Sequence, residues 1–548
     1  MQTLAHLADS VRNALAHTAT ISDIQEAEVF ASSNSQKVFR LNYTSHMPSN
    51  GGEEPKSTEN FGIGIRVVFK TPDGVKVGFG SEANNISLDG VKIALEKARQ
   101  GAVLDPEFTG LPRQGTLKRK LFNYHDPEMM DMKEKTLIEA EKKFVDAGWK
   151  ILDGSIEEFL SSKSLKILAG HKEKTLAKLG LIAGGDLTII AERIAIGSTH
   201  LPDVQTDEST IATISITDMV EEYDAKGSGY GSYNKLSSIN QQAGQDAAKN
   251  AINACGVQNP EKWRGATLNF REPMGLPSGS YTVIFGHQPV SDMISNLVLP
   301  GLTTGAFYGM SSPFMGKMGK LVASTEINLY DDATNLNYVG AKAITCEGLP
   351  TRSVDLIKKG VLNDLLSNWY ETERLLHKDP RAEEKLGQDP KILHSEGKLL
   401  PSSGFRFSTG GGRGYDSTPG IAGTNVILEG TNPKQLEELL QGMAYGIYIG
   451  RIWYCYPING SRSGDFTATV VGDSFVIKNG KIFAPLKANS LRINDNILRI
   501  LNAVKAAGNQ MKSAILWAAD EIPVACDLLV SEVVVEEIGA EDTPPTGM

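Results

Sequence analysis

The sequence predicts an α+β protein, an N-terminal α+β domain followed by a β-rich second half. Three observations carry this. Helix-like and strand-like segments alternate irregularly, without the βαβ rhythm of a doubly wound sheet. Turn chemistry, Pro72-Asp73-Gly74 and Asn479-Gly480, sits between β-rich runs in both halves. The stretch from Pro260 to Gly279, with Gly275 and Pro277 inside it, reads as a boundary and gives domains 1–260 and 261–548. A chain of 548 residues has ample material for two cores.

Leu4, Leu7, Val11 and Leu15 fall at helical spacing, so an amphipathic helix opens the chain. Glu28 to Val38 reads as a strand, and the polar stretch His46 to Glu59, rich in Gly, Pro and charge, as a loop. Gly62 to Phe69 and Val75 to Gly80 flank the Asp-Gly turn as a hairpin. Ser87 then starts a helix whose packed face is Val91, Ile93, Ala94, Leu95 and Ala98. Met129 to Gly154 is helical, with Lys and Glu at i,i+4. Strands are expected over Leu187–Ile196 and Ile211–Ile216, and an Ala-rich helix over Ile239–Cys255. The stretch Gly227 to Tyr233 carries two tyrosines but no interleaved Arg or Lys for stacking on bases, and reads as a loop.

In the second half, Ser280 to Phe285 is a short buried strand. A helix follows with Val290, Met293, Ile294 and Leu297 on one face. Lys378 to Lys398 is highly charged and reads as an inserted surface helix or loop. Ser474 to Phe483 forms the Asn-Gly hairpin, and Val533-Val534-Val535 a last strand running into an acidic tail, 536–548, expected to be disordered.

With 55 Lys+Arg against 65 Asp+Glu the formal net charge is −10, so direct nucleic-acid binding is not expected. No apolar run approaches the ~20 residues of a membrane span. Four scattered cysteines without a CxxC pair exclude a disulfide framework. The first residues lack a basic, then apolar, leader pattern, and a reduced cytoplasmic protein is expected.

The run Thr409 to Gly414 invites a phosphate-loop reading, but no Gly-Lys-Ser/Thr follows it. A flexible loop or a backbone groove for an extended peptide fits better. His287-Gln288-Pro289-Val290-Ser291-Asp292 sits where a strand ends and a helix begins. A zinc hydrolase needs imidazole ligands and a carboxylate base there, and Gln288 cannot be that base. Alone, this segment makes no metal site. Cys346, Cys455 and Cys526 read as buried inert thiols.

A series of landmarks runs through the first half, Gly62-Ile63-Gly64-Ile65-Arg66-Val67, Gly78-Phe79-Gly80 and Gly110-Leu111-Pro112. It continues in the second with Cys346 to Arg352, Ile357 to Leu362, Ser463-Gly464-Asp465-Phe466 and Val476 to Ile482. This series resembles the TldD/PmbA family (PmbA is also called TldE), a group linked to zinc-dependent peptidases and once described as modulators of DNA gyrase. The resemblance spans about Ala27 to Val535.

The resemblance implies an α+β N-terminal domain and a barrel-like C-terminal domain, with the run near Gly411 at the substrate cleft. TldD carries His-Glu-x-x-x-His at the junction matched by His287 to Asp292. Here Gln288 replaces the Glu and Asp292 the second His, and the nearest thiol to TldD's C-terminal Cys ligand, Cys526, is out of register. The resemblance therefore implies a PmbA-type subunit of a peptidase assembly acting on unstructured peptides. No cofactor is expected in this chain, zinc belonging to a TldD-like paralogue with which it pairs, or else the chain forms a homodimer. Two other readings stay open. One is a peptidase active alone through a rearranged site using His287, Asp292 and Cys526 or Glu347. The other is a regulatory binding protein of the gyrase-modulator type.

Overall fold

The structure, a computed structural model, describes residues 1–47, 51–72, 74–130, 137–258, 260, 270–407, 411–514 and 522–539. The first half contains α1 (Leu4–Thr18), β1 (Ile24–Thr44), β2 (Gly51–Thr71), β3 (Gly74–Ala83), α2 (Leu88–Gln100) and β4 (Val103–Leu104). It continues with α3 (Pro127–Met130), α4 (Leu137–Ser161), α5 (Lys163–His171), β5 (Leu181–Ser198), β6 (Gln205–Val220), β7 (Ala225–Tyr233) and α6 (Gln242–Ala254). Its seven strands form one antiparallel sheet, ordered β4-β3-β2-β1-β5-β6-β7.

Strand alternation gives the sheet two unlike faces. Odd-numbered residues of β1 and β2 (Val29, Ala31, Ile63, Ile65, Val67) pack under α1 and α2. Farther along, Phe39, Leu41, Leu187 and Ile189 pack under α4 and α6. The even-numbered Phe30, Ile194 and Ile196 turn the other way and meet Ile344, Cys346, Phe405 and Tyr415 of the second half. This explains the Gly62-x-Gly64 motif. A Cβ on Gly62 would lie 2.5 Å from the Tyr415 ring, and one on Gly64 2.1 Å from its carbonyl oxygen. The alternate isoleucines fill the helical side.

Two expectations are overturned here. The stretch expected as a loop over 46–59 is strand from Gly51 onward, with Leu41 opposite Gly52 and Arg40 opposite Glu53. A 21-residue β1 has backbone donors and acceptors to satisfy along its whole length, and ladder pairing overrides the polar composition of its neighbour. The Gly227–Tyr233 stretch, expected as a loop, is β7. Its glycines are there for helix approach, because a Cβ on Gly229 would lie 1.8 Å from the Ala243 carbonyl oxygen and one on Gly227 2.2 Å from the Ala251 nitrogen. Gly229→Ala should therefore force α6 off the sheet at about 1–3 kcal/mol, read as a lowered Tm. Ile93, expected on the packed face of α2, is exposed.

The second half begins with β8 (Gly279–Phe285), α7 (His287–Met293), α8 (Thr304–Tyr308), β9 (Ile327–Asp332), β10 (Ser353–Lys358) and β11 (Val361–Leu362). After α9 (Trp369–His377), which buries Leu375, the charged segment Lys378 to Lys398 carries two short helices, α10 (Ala382–Leu386) and α11 (Pro390–Ser395), which bury Leu386 and Leu393. Next come β12 (Gly404–Phe405), β13 (Gly420–Ile421), β14 (Asn425–Gly430), α12 (Leu436–Gln441), β15 (Tyr445–Ile449), β16 (Ile452–Pro457) and β17 (Asp465–Val470). The chain closes with β18 (Phe475–Lys478), β19 (Lys481–Pro485), β20 (Leu491–Asn496), α13 (Ile497–Asn502), β21 (Val504–Ala507), β22 (Lys512–Ser513), β23 (Ile522–Ala525) and β24 (Leu528–Glu537).

One sheet runs β16-β17-β20-β24-β8-β15-β18-β19, with β21 beside β24, and curls as a half-barrel; a second runs β11-β10-β9-β14-β23-β22. One large core joins them, with Phe285, Phe307, Phe314 and Phe466 fully buried. The expected α+β class with a barrel-like second half is what is found. Residues 261–269 of the expected boundary, Thr409 and Gly410 of the glycine run, and the tail from 540 lie outside the described residues. Among the described residues, no helix is long and apolar enough to cross a membrane.

Buried ion pairs join the halves. Glu192 of β5 accepts from the Arg413 backbone N–H at 2.7 Å and from Arg413 Nε at 2.9 Å, and Lys342 Nζ lies 3.0 Å from it. Arg413 Nη1 also donates to Asp207 of β6 at 3.0 Å. The Glu28 carboxylate bridges Arg66 at 2.7 Å and Arg406 at 2.5 Å.

Candidate functional site

β8 lies between β24 and β15, and α7 starts at its carboxyl end. Gly286 makes the turn, donating its N–H to the Ile449 carbonyl at 2.8 Å; a Cβ there would meet Tyr448 Oη at 2.9 Å. His287, the first residue of α7, opens onto a cavity of about 270 Å³ between the two halves. From the first half β7 lends Tyr230, and α6 lends Asp246 and Asn250; from the second come Tyr448, Lys512 and Asp527. The close α6–β7 packing permitted by Gly227 and Gly229 is what brings Asp246 here.

The cavity's charges are matched in pairs. Lys512 Nζ donates to Asp246 at 2.8 Å. The Asp527 carboxylate lies 3.5 Å from the Tyr448 hydroxyl, and the His287 backbone N–H at the start of α7 favours its charged form. Burial pushes Asp527 up to about 6, against the pull of Lys512. Burial, with Lys512 adding to it, pushes His287 down to about 4. At neutral pH its imidazole is therefore uncharged, able to donate at one nitrogen and accept at the other. The Tyr230 ring meets it edge-on, with centroids 6.3 Å apart.

Gln288 and Asp292 face elsewhere. The buried Gln288 amide accepts the Ile452 N–H at 3.0 Å and donates to the Ile452 carbonyl at 3.4 Å, clamping the free edge of β16. Asp292 accepts from Asn296 at 2.8 Å, and burial lifts it to about 6. Five residues along an α-helix is about 140° of rotation, so Asp292 does not share the His287 cavity. Gln288→Ala would leave both backbone groups of Ile452 without partners. The expected loss is about 1–3 kcal/mol by urea unfolding, with His287 untouched.

The structure does not bring His287, Asp292, Glu347 and Cys526 together. Glu347 is buried near Arg66 and Glu28, accepts the Trp369 N–H at 3.0 Å, and is pushed by burial up to about 7. Cys526 is fully buried and its thiol pushed up to about 12 by burial. Its neighbour Asp527 is the residue that reaches His287, because successive residues of an extended chain point to opposite sides. Among the described residues, no three His, Cys, Asp or Glu side chains stand together as a metal site. The glycine run, expected at the cleft, does not line this cavity; Gly411 packs on Ile190 and Gly412 on Asn34. Sequence reasoning missed Asp246, Tyr448, Lys512 and Asp527. The one signal available was Tyr230 in its glycine-rich strand.

Residues 278–537 match the family model described as the PmbA/TldA metallopeptidase C-terminal domain. A protein named metalloprotease TldD homolog, from Buchnera aphidicola, is 24% identical over 457 residues, covering 82% of this chain and 80% of that one. A TldD homolog of Haemophilus influenzae is 25% identical over 235 residues, 42% of this chain and 41% of its own. Among solved structures, TldE from Thermococcus kodakarensis shares the fold, with TM-score 0.68 and 15% identity over 96% of this chain and 100% of that one.

Proposed function

We propose that this chain, whose residues 278–537 match the PmbA/TldA metallopeptidase C-terminal domain, is a TldD/PmbA-family protein and the non-zinc-binding subunit of a peptidase assembly acting on unstructured peptides. The observation that carries this reading is Gln288. At the place of the hydrolytic carboxylate stands an amide committed to the Ile452 backbone, so α7 offers the His287 cavity no base. The donor set there does not suit zinc. The two carboxylates around His287 are already engaged, Asp246 by Lys512 and Asp527 by the Tyr448 hydroxyl, and a dication would sit against the Lys512 ammonium. The work left to the cavity is binding. Neutral His287, Asn250 and the Asp246–Lys512 pair present donors and acceptors to main-chain groups, a pattern that holds an extended peptide with little regard to its sequence.

The test is the zinc content of the full chain purified alone, by elemental mass spectrometry after dialysis. Near-zero metal is expected, with chelator-sensitive cleavage of a flexible peptide appearing only when a TldD-like chain carrying His-Glu-x-x-x-His is added. About one tightly held zinc per chain, or cleavage by this chain alone, would overturn the reading.

A further inference from the structure

A second cavity, of about 360 Å³, opens between the halves, lined by Arg66, Val77, Asp105 and Phe108 from the first and by Asn368, Tyr370, Pro419 and Ile421 from the second. Its volume is at the small end of the ~300–1,000 Å³ typical of small-molecule sites. Arg66 is 8% exposed. Its Nη2 donates to Glu28 at 2.7 Å, while its buried Nε has no hydrogen-bond partner. The Glu28 carboxylate is already divided between Arg66 and Arg406. Glu347 also stands near the Arg66 guanidinium, but burial pushes it up to about 7; an Arg66 whose charged partner is shared and which keeps an unspent donor has attraction left for a ligand carboxylate.

The other polar groups of the cavity are of the opposite kind. Two carboxylates line it: Asp105, whose Oδ1 accepts the Glu107 N–H at 3.0 Å, and Glu371, already held by Arg374 Nη2 at 2.6 and 2.8 Å. Tyr370 lies beside Asp105, its hydroxyl pushed up to about 12 by burial and by that carboxylate. Asn368 caps α9 at Glu371 and donates to the Pro419 carbonyl at 3.1 Å. Val77, Phe108, Pro419 and Ile421 supply apolar wall.

We infer that this cavity binds a free α-amino acid as its zwitterion, one with an apolar side chain. The carboxylate meets Arg66, the ammonium meets Asp105, and the side chain lies on the Phe108–Ile421 wall. This goes beyond the peptidase reading and does not depend on it, since none of these residues lines the His287 cavity. Because the walls come from both halves, and Arg66 among them is held by the Glu28 that also binds Arg406, occupancy should also tighten their union.

The test is calorimetric titration of the full chain at pH 7 with L-leucine, N-acetyl-L-leucine and L-leucinamide, paired with thermal melts. Leucine should bind and raise Tm, and each blocked form, lacking one charge, should bind at least about tenfold more weakly. Asp105→Asn, which keeps an acceptor for the Glu107 N–H, should weaken leucine and leave N-acetyl-leucine unchanged. Ile421→Trp, filling the cavity, should abolish binding without changing the zinc content. Absence of leucine binding up to about 10 mM, or equal binding of all three compounds, would overturn the proposal.

Discussion

Glu192→Ala should destabilise the protein by about 3–5 kcal/mol, the cost of leaving buried cations without their carboxylate. Arg413 is wholly buried and Lys342 3% exposed, and both lean on Glu192. Burial alone would push Glu192 up, but Arg413 and Lys342 outweigh it and hold it well below the ordinary carboxylate range. The sign follows from linkage: a carboxyl lowered in the folded state stabilises above its unfolded value of about 4.3, and that stabilisation is lost as pH falls toward the folded value. Urea unfolding at pH 7 and pH 4 should show the large loss at pH 7 and a smaller one at pH 4. Replacing Glu192 and Arg413 together by apolar residues should recover part of the loss, because the uncompensated charge is what costs most. A loss under 1 kcal/mol at pH 7 would mean that water reaches the network.

The second large effect has the opposite sign. Asp218 of β6 is completely buried in the apolar stripe that includes Ile214, Ile216 and Val220, and neither carboxyl oxygen has a hydrogen-bond partner. Burial pushes its pKa well above the usual value, with the Ser155 hydroxyl opposing slightly. An acid raised in the folded state loses stability as pH climbs from the unfolded value of about 3.9 to the folded one, at about 1.4 kcal/mol per pH unit. Asp218→Asn, which cannot ionise, should therefore raise Tm at pH 8 by several degrees and little at pH 4. Asp218→Val should do the same, since the site is apolar. Melting curves across pH 4 to 9 check this; an unchanged slope in both variants would show that Asp218 ionises in the folded protein as readily as in the unfolded chain.

What the sequence made legible was whatever depends on near neighbours. The helix carrying Leu7 and Val11, the paired strands Gly62–Phe69 and Val75–Gly80 and the strand-to-helix junction at His287 are written in spacings of a few residues, and each is found in place. The Gly51–Glu59 strand was hidden because its reason for being extended lies in β1 and not in its own composition. β7 was hidden because glycine has two uses, turn and close approach, and only α6 on top of Gly229 tells them apart. At the candidate site, His287 was visible, but Asp246 and Asp527 are hundreds of residues apart and look like any surface acids until the halves are brought together. The register of β24 decides that Asp527 rather than Cys526 reaches the cavity, and no local spacing encodes that.

The joint between the halves also has a meaning in time. Arg413 follows Glu192 by 221 residues. At ribosomal speeds of about 5–20 residues per second, roughly 10–45 s pass between their emergence. For that interval the first sheet can be complete in its hydrogen bonds while one face still holds Glu28, Glu192 and Asp207 with their counter-charges on Arg406, Arg413 and Lys342 not yet made. Those carboxylates stand among Phe30, Ile194 and Ile196, so they break up the apolar surface that the half-made protein shows to other nascent chains. The charges that later lock the molecule shut would first serve as its chaperone.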